Sequence, residues 1–323
     1  MTLVSILTPC FRAEPYLEGY FEAVLAQTAL DKLEVVLVHN EPSAEECVVV
    51  RRVSEGHPGL VRHIVVPEGW DADDANDRGR RSRATVSQSM NRGIAAASGR
   101  YVALWNVDDV RRPDSIEAQL RTFDEHPEAL MTYGDMVIVP RYGDTEGELV
   151  TSPEFERNLF MRGCFGAFQM YRRDAFETVG LYDEQLRSGY DFDMQIRFAA
   201  NGDLVRTPRV LGYFTNAGTG LSTTSDDLQP TERTVIEMRY GILDKIDRRY
   251  LARASRYRVG ELRTGDRWLP IERFVPDLDA LLARAAADPR LQPTLSRRDR
   301  IGGRLRNVAR GVRAALHPGG ERP

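Results

Sequence analysis

The segment Met90-Asn91-Arg92-Gly93-Ile94-Ala95-Ala96-Ala97-Ser98-Gly99-Arg100-Tyr101-Val102-Ala103-Leu104-Trp105-Asn106-Val107-Asp108-Asp109 changes its hydrophobic period within a few residues. Its first half continues a helical pattern that begins at Thr85, with Val86, Met90, Ile94 and Ala97 on one face, and Gly99 stops it. Tyr101 to Trp105 is then wholly apolar, as a strand buried on both faces must be. Asn106-Val107-Asp108-Asp109 stands directly at that strand's carboxyl end. Open α/β sheets bind ligands outside the carboxyl ends of their strands, which makes Asp108 and Asp109 the first candidate functional residues. Two adjacent carboxylates repel each other, and an oxygen-liganded Mg2+ or Mn2+ bridging to phosphate would offset that repulsion. On spacing alone, an Asp-rich turn before Pro113 explains the pair equally well.

Working outward, the same alternation repeats. Val4-Ser5-Ile6-Leu7 predicts a buried strand, and Glu14-Pro15 opens a helix with Leu17, Tyr20, Phe21, Val24 and Leu25 on one face. Leu33 to Val38 and His63 to Val66 predict two further strands. Pro113-Asp114-Ser115 starts a helix carrying Ile116, Leu120 and Phe123, and Leu130 to Val139 follows as a strand. These βαβ units imply an α/β fold, a mostly parallel sheet with helices on both faces. The polar stretch Gly69 to Arg83 predicts a loop at the ligand edge. Beyond Leu221 the strand signal fades. Val235, Met238, Ile242, Leu243 and Ile246 predict a long amphipathic helix, followed by a Leu/Ala-rich one near 277–287. The expected organisation is a domain over 1–225, a helical C-terminal appendage over 226–295 and a basic tail over 296–323.

Composition bounds the function. The 323 residues are 42% hydrophobic and 28% charged with a net charge of −4, a folded chain and not a general polyanion binder. Lys32 and Lys245 are the only lysines among 44 basic residues, so arginine is the default cation here and single arginines carry little functional weight. Cys10, Cys47 and Cys164 are odd in number and show no C-x-x-C spacing, as in a reducing compartment. The opening Met-Thr-Leu-Val-Ser-Ile-Leu lacks a basic n-region, and no run reaches the roughly 18–20 apolar residues of a membrane span. A cytoplasmic location is expected.

A second acidic cluster, Asp191-Phe192-Asp193, opens a helix that ends at Asn201-Gly202. One of its aspartates serves either as a cap favoured by the helix dipole or as a general base, which requires hydrogen-bond reach to the proton it takes.

Taken in order, these segments resemble the family 2 inverting glycosyltransferases of the GT-A fold over residues 2–225. Val4 to Arg12 is similar to the family's opening strand, which implies that Pro9 and Phe11 line the nucleotide base pocket. Val35 to Val38 leads, in that family, into Asp-Asp-Gly-Ser; here His39-Asn40-Glu41-Pro42-Ser43 follows. Asn40 keeps an oxygen able to accept a base N–H but loses the carboxylate, which leaves uracil, thymine and guanine open. Met90 to Tyr101 is similar to Asn-x-Gly-Ile-x-x-Ala-x-Gly-x-Tyr and places Asn91 in the donor site, with Asn106-Val107-Asp108-Asp109 in place of the DXD signature. The resemblance implies that Asp109 coordinates Mn2+ or Mg2+, that Asp108 contacts the ribose or a metal-bound water, that Asn106 lies with them, and that Arg83 contacts the diphosphate. Gly180 to Glu184 and Tyr190 to Arg197 are similar to Gly-x-Phe-Asp-Glu and Glu-Asp-Tyr-Asp-Leu-x-x-Arg, which makes Asp191 the catalytic base. Thr215 and Ala217 replace an arginine and a histidine often found after the last strand, and no Gln-x-x-Arg-Trp is present, which argues against a processive synthase.

The resemblance therefore implies an enzyme that moves one sugar from a nucleoside diphosphate sugar donor to an acceptor hydroxyl; acceptor choice is expected to lie in Phe160 to Gln169 and the appendage, where the match is loosest, and a glycan or lipid-linked acceptor is the expectation drawn from the basic tail. Two rivals stand beside it. A nucleotidyltransferase shares the layout, but Thr8 to Glu14 contains no glycine-rich loop. A non-catalytic nucleotide-sugar-binding or scaffolding subunit would not need both Asp109 and Asp191. The tail from Arg297 to Arg313 carries seven arginines against Asp299, with Ile301, Leu305, Val308, Val312 and Leu316 on one helical face, a pattern suited to peripheral contact with an anionic membrane or to a solvated basic helix. No aromatic residues interleave those arginines, so nucleic acid is not an expected partner. The oligomeric state is not encoded in any motif.

Overall fold

The computed structural model describes residues 2–67, 84–157, 166–217, 227–242 and 246–277, together with 279, 280 and 283. Arg83 and the loop before it, Cys164 with most of 160–169, most of the expected helix near 277–287 and the basic tail lie outside the described residues.

The chain divides into two compact units. The first comprises Met1–Phe155, Phe165–Leu181 and Gly202–Thr224. In chain order it carries β1 (Val4–Cys10), α1 (Leu17–Leu25), β2 (Leu33–Asn40), α2 (Ala44–Gly56), β3 (Val61–Val66), α3 (Val86–Ala96), β4 (Tyr101–Leu104), β5 (Val110–Arg111), α4 (Ser115–Glu125), β6 (Met131–Val139), β7 (Glu148–Val150), β8 (Met170–Arg172) and a turn of helix, α5 (Phe176–Val179). The long strand β9 (Leu204–Thr215) closes it. The strand order is β3-β2-β1-β4-β8-β6-β9-β5, with β7 paired to β6.

The expected parallel frame is present. β3, β2, β1 and β4 pair in parallel, β9 pairs in parallel with β6, and two antiparallel steps through β8 bring β6 into the direction of β4. What periodicity did not predict is the antiparallel setting of the short strands β5, β7 and β8. Two or three residues carry no period, and their direction follows from returns without a crossover helix. β2 is buried at every position, which is why its sequence is a continuous apolar run. Even-numbered β1 residues Val4 and Ile6 face a core shared with Leu17, Phe21 and Val24 of α1, Val50 of α2 and Ile116 of α4. Leu7 points the other way, to α3, where it packs under Gly93. Helices thus cover both faces.

Local chemistry fixes the element ends near the ligand edge. Ser43 and Glu46 form a reciprocal capping box on α2, and Thr85 and Gln88 do the same on α3. At Gly99, a Cβ would stand 2.7 Å from the Ser5 backbone nitrogen, so only glycine lets the chain turn from α3 into β4. Glu34 on β2 ties the same turn down. Its carboxylate accepts from Ser5 Oγ at 2.6 Å, Ser98 N at 2.7 Å and Ser98 Oγ at 2.9 Å.

The second unit comprises Glu156–Cys164, Tyr182–Asn201 and Ser225–Pro323. It is discontinuous in sequence and takes in the segment Tyr182–Asn201. Its elements are α6 (Tyr190–Asn201), α7 (Leu228–Arg239), α8 (Leu251–Ala254) and the antiparallel pair β10 (Glu261–Thr264) and β11 (Arg267–Pro270). That hairpin, turning through Gly265, adds strand to an appendage expected to be helical. α7 also ends earlier than its apolar spacing suggested. Gly241 at φ +66° allows the Ile242 N–H to reach Glu237 O and the Gly241 N–H to reach Met238 O, a Schellman closure that stops the helix at Arg239. Leu186, Phe192, Ile196, Val235, Ile236 and Tyr240 form this unit's core.

Candidate active site

In the first unit the adjacent parallel strands β1, β2 and β4 deliver the sequence-predicted residues to one edge. β1 ends beside β2, with Cys10 opposite His39, so Phe11 and Asn40 leave neighbouring strand ends. The residues that follow are strained: Arg12 and Glu41 both hold φ +49°, in a region that costs non-glycine residues roughly 1–2 kcal/mol. Glu41 occupies the place where the resembled motif has glycine. The Arg12 guanidinium lies 5.1 Å from the Phe11 ring centre. Pro9 and Phe11 are half-buried, whereas Asn40 and Asn91 are buried. Asn40 Nδ2 donates to Ser89 Oγ of α3 at 3.0 Å, which fixes the amide's orientation. Its Oδ1 is buried with no hydrogen-bond partner. An orphaned buried acceptor costs about 1–3 kcal/mol unless a ligand donates to it.

Trp105 N donates to Leu7 O at the end of β4, and the chain then bends through Asn106 to the acidic pair. Asp109 is 2% exposed, Asp108 half-buried. Trp105 Nε1 donates to Asp109 O at 2.9 Å, Asn106 Nδ2 to Asp109 Oδ2 at 3.2 Å and the Thr215 backbone N–H to Asp109 Oδ1 at 3.0 Å. Because that last donor is backbone, the threonine found in place of arginine leaves the carboxylate's anchoring untouched. Burial, and then the neighbouring Asp108 carboxylate, push the Asp109 carboxyl up to about 8 despite these bonds. Burial also raises Asp108. No ion pair to Asp109 is present among the described residues. Among the described residues Arg111 is the cation whose charge acts on Asp109; it is buried, bonded to Gln119 Oε1 and Leu104 O, and lowered by burial to about 9. Each Asp109 oxygen accepts one hydrogen bond and keeps a lone pair. Two oxygen donors short of positive charge are a set that a hard divalent cation fits.

Sequence reasoning missed Tyr142, in the turn after β6. Its hydroxyl is buried without a hydrogen-bond partner. Burial, then Glu22, Asp109 and Asp108, raise it to about 12, so a neutral phenol stands near the acidic pair. Nothing in a single tyrosine within a polar turn signals this.

In the second unit the structure separates the two aspartates of the other cluster. Asp193 is fully buried. Arg197 Nη2 lies 2.9 Å from its Oδ2, Arg239 Nη1 lies 2.6 Å from its Oδ1, and Tyr240 Oη donates to it at 2.8 Å. Burial alone would raise its pKa; Arg197 and Arg239 hold it below the ordinary value. Asp191 is half-buried in the first turn of α6 and accepts the Phe192 N–H at 2.8 Å. The helix is seated by Glu232 of α7, whose carboxylate accepts from Arg187 N at 2.9 Å, Ser188 N at 2.7 Å and Gly189 N at 2.9 Å.

The family model described as glycosyl transferase family 2 matches residues 5–180. Among curated proteins, the chain is 26% identical over 242 residues to a PGL/p-HBAD biosynthesis glycosyltransferase of Mycobacterium bovis, covering 74% of this chain and 87% of the relative. It is 22% identical over 200 residues to the minor teichoic acid biosynthesis protein GgaB of Bacillus subtilis, 58% of this chain and 20% of that one. Among solved structures, residues 1–349 of S. aureus TarS in complex with UDP-GlcNAc superpose with a TM-score of 0.57 at 15% identity, covering 93% of this chain and 78% of that one. That likeness identifies the fold as GT-A.

Proposed function

The chain belongs to glycosyl transferase family 2 and is a glycosyltransferase, and from that premise we propose that it moves a single sugar from a nucleoside diphosphate donor to an acceptor hydroxyl with inversion. The observation that carries this is Asp109, a buried carboxylate raised to about 8 at a strand's carboxyl end beside a second acid, with no ion pair among the described residues. Asp109 and Asp108 would hold Mn2+ or Mg2+, which when bound supplies charge neutralisation to the departing diphosphate. Asn106 and the Thr215 N–H keep Asp109 oriented for that task.

The remaining chemistry belongs to the chain itself. The free Asn40 Oδ1 accepts an N–H of the nucleobase, while Pro9 and Phe11 flank the ring and Asn91 of α3 lies beside them. Asp191 takes the proton of the acceptor hydroxyl onto a carboxylate oxygen as that hydroxyl attacks the anomeric carbon. The half-buried setting of Asp191 supports this role, and the saturated bonding of Asp193 argues that Asp193 holds the helix. Because its relatives bear names from PGL/p-HBAD and minor teichoic acid biosynthesis, a cell-envelope glycan or its lipid-linked precursor is the acceptor we assign.

Metal-dependent release of nucleoside diphosphate from a panel of nucleotide sugars without acceptor tests the proposal, with thermal stabilisation as a parallel readout. One base should give release that chelator abolishes. Neither release nor stabilisation with any donor would overturn it.

A further inference from the structure

Cys10, His39 and Glu46 come from the ends of β1 and β2 and the first turn of α2, and they meet inside the first unit. One ligand atom of each, a sulfur, a ring nitrogen and a carboxylate oxygen, lies within 4.8 Å of the other two. Cys10 and Glu46 are 1% exposed and His39 is fully buried. His39 Nδ1 is engaged with His63 Nε2 at 3.2 Å. His39 Nε2, by contrast, lies 3.2 Å from Glu46 Oε2, within ion-pair distance but without hydrogen-bond geometry, so a buried nitrogen and a carboxylate face one another across the cluster. Glu46 is already oriented from behind by the N–H groups of Ala13 at 2.6 Å and Ser43 at 2.7 Å.

We propose that Cys10 Sγ, His39 Nε2 and the Glu46 carboxylate form a binding site for Zn2+, separate from the acidic pair Asp108 and Asp109. A thiolate, an imidazole and a carboxylate make a borderline-soft donor set that suits zinc and not Mg2+, which takes oxygen alone. Tetrahedral zinc with Zn–N and Zn–O bonds of about 2.0–2.2 Å sets those two ligand atoms roughly 3.3 Å apart, close to the 3.2 Å between His39 and Glu46. One thiolate and one carboxylate bring two negative charges, which the dication cancels, so the loaded site is neutral inside the core. The Cys10 thiol, kept protonated by burial and by Glu46, loses its proton to solvent as the Zn–S bond forms. With Zn2+ bound, His39 Nδ1–H would donate to His63 Nε2, leaving the Nε2 lone pair to the metal, as outer partners of ligating histidines do. Three protein ligands leave the fourth position to water. The bound ion ties β1, β2 and α2 together one residue from Phe11 and one from Asn40.

Co2+ added to the full chain, untagged and stripped of metal, reads the site directly, because a thiolate ligand gives a charge-transfer absorption that aspartates do not. One equivalent should produce that band, and Zn2+ should abolish it. Asp109→Asn and the double variant Cys47→Ser/Cys164→Ser should keep it, and Cys10→Ser should lose it. His63→Gln should weaken Co2+ binding roughly 10–100-fold. Absence of the band in the folded wild type, or its persistence in Cys10→Ser, overturns the proposal. Should Cys10→Ser fail to fold by circular dichroism, the wild type and the double variant, in which Cys10 is the remaining thiol, decide the matter by themselves.

Discussion

Asp109 and Asp193 are both buried carboxylates preceded by an aspartate or a near neighbour of one, and their surroundings are opposite. Asp193 is enclosed by Arg197, Arg239 and the Tyr240 hydroxyl, all within hydrogen-bond distance, and sits below its ordinary pKa. Asp109 has two neutral donors and no ion pair among the described residues, and it is pushed up to about 8. A charge that folding has already neutralised is part of the scaffold. One left wanting a cation is a place for a ligand. The difference lies in what other elements supply and not in the acidic motif itself.

Four measurements test this contrast. The largest effect belongs to the cluster's other aspartate: Asp191→Asn should lower turnover by about 10²–10⁴-fold, with donor affinity unchanged and stability within roughly 0.5 kcal/mol. Unchanged turnover would remove Asp191 from the chemistry. Next, Arg239→Leu leaves Asp193 and Asp183 without their shared partner and should cost about 3–5 kcal/mol in urea unfolding. Asp109→Asn should give the reverse profile. It keeps the shape and, with the Asn106 amide turned over to accept from the new N–H2 group, costs no more than about 1 kcal/mol, while transfer falls by about 10²–10³-fold. Equal destabilisation by these two variants would erase the contrast.

The smallest effect is a control in which a buried carboxylate is satisfied chiefly by neutral donors, with the exposed Arg62 guanidinium 3.7 Å away. Burial alone would raise Glu34, but the hydrogen bonds from Ser5 and Ser98 outweigh it and hold it below its ordinary value of 4.5. Its contribution is therefore complete above that value and is lost as pH falls through the depressed folded pKa. Stability measured between neutral and acidic pH should fall less steeply in Glu34→Gln than in wild type, at a cost near neutrality of roughly 1–3 kcal/mol.

The parallel frame was legible because β1, β2, β4 and β6 are long enough, or apolar enough, to show a period, and because Thr85 and Gly99 mark the ends of α3. The short strands were not, since β8 takes its place between β4 and β6 only through pairing with distant residues. The acidic pair was legible as a pair, and the resemblance supplied its role. That Asp193 and not Asp191 is the structural member depends on Arg239 and Tyr240, some 46 and 47 residues downstream, at spacings no local pattern encodes. The cluster of Cys10, His39 and Glu46 was invisible for the same reason: each ligand sits on a different element, and none has a ligand-like spacing to another.

Glu232, from the middle of α7, closes on the three N–H groups that precede α6. The segment carrying Asp191 thus folds with residues that follow it by some 40 positions, and the family match itself stops at residue 180. A chain cut after residue 225 would keep both acidic motifs in its text and lose the Glu232, Arg239 and Tyr240 that hold one of them in place. The portable unit, for anyone grafting or trimming this enzyme, is consequently not the stretch of sequence that looks like a glycosyltransferase. Exchange of the C-terminal unit between relatives would exchange the seat of Asp191 along with it.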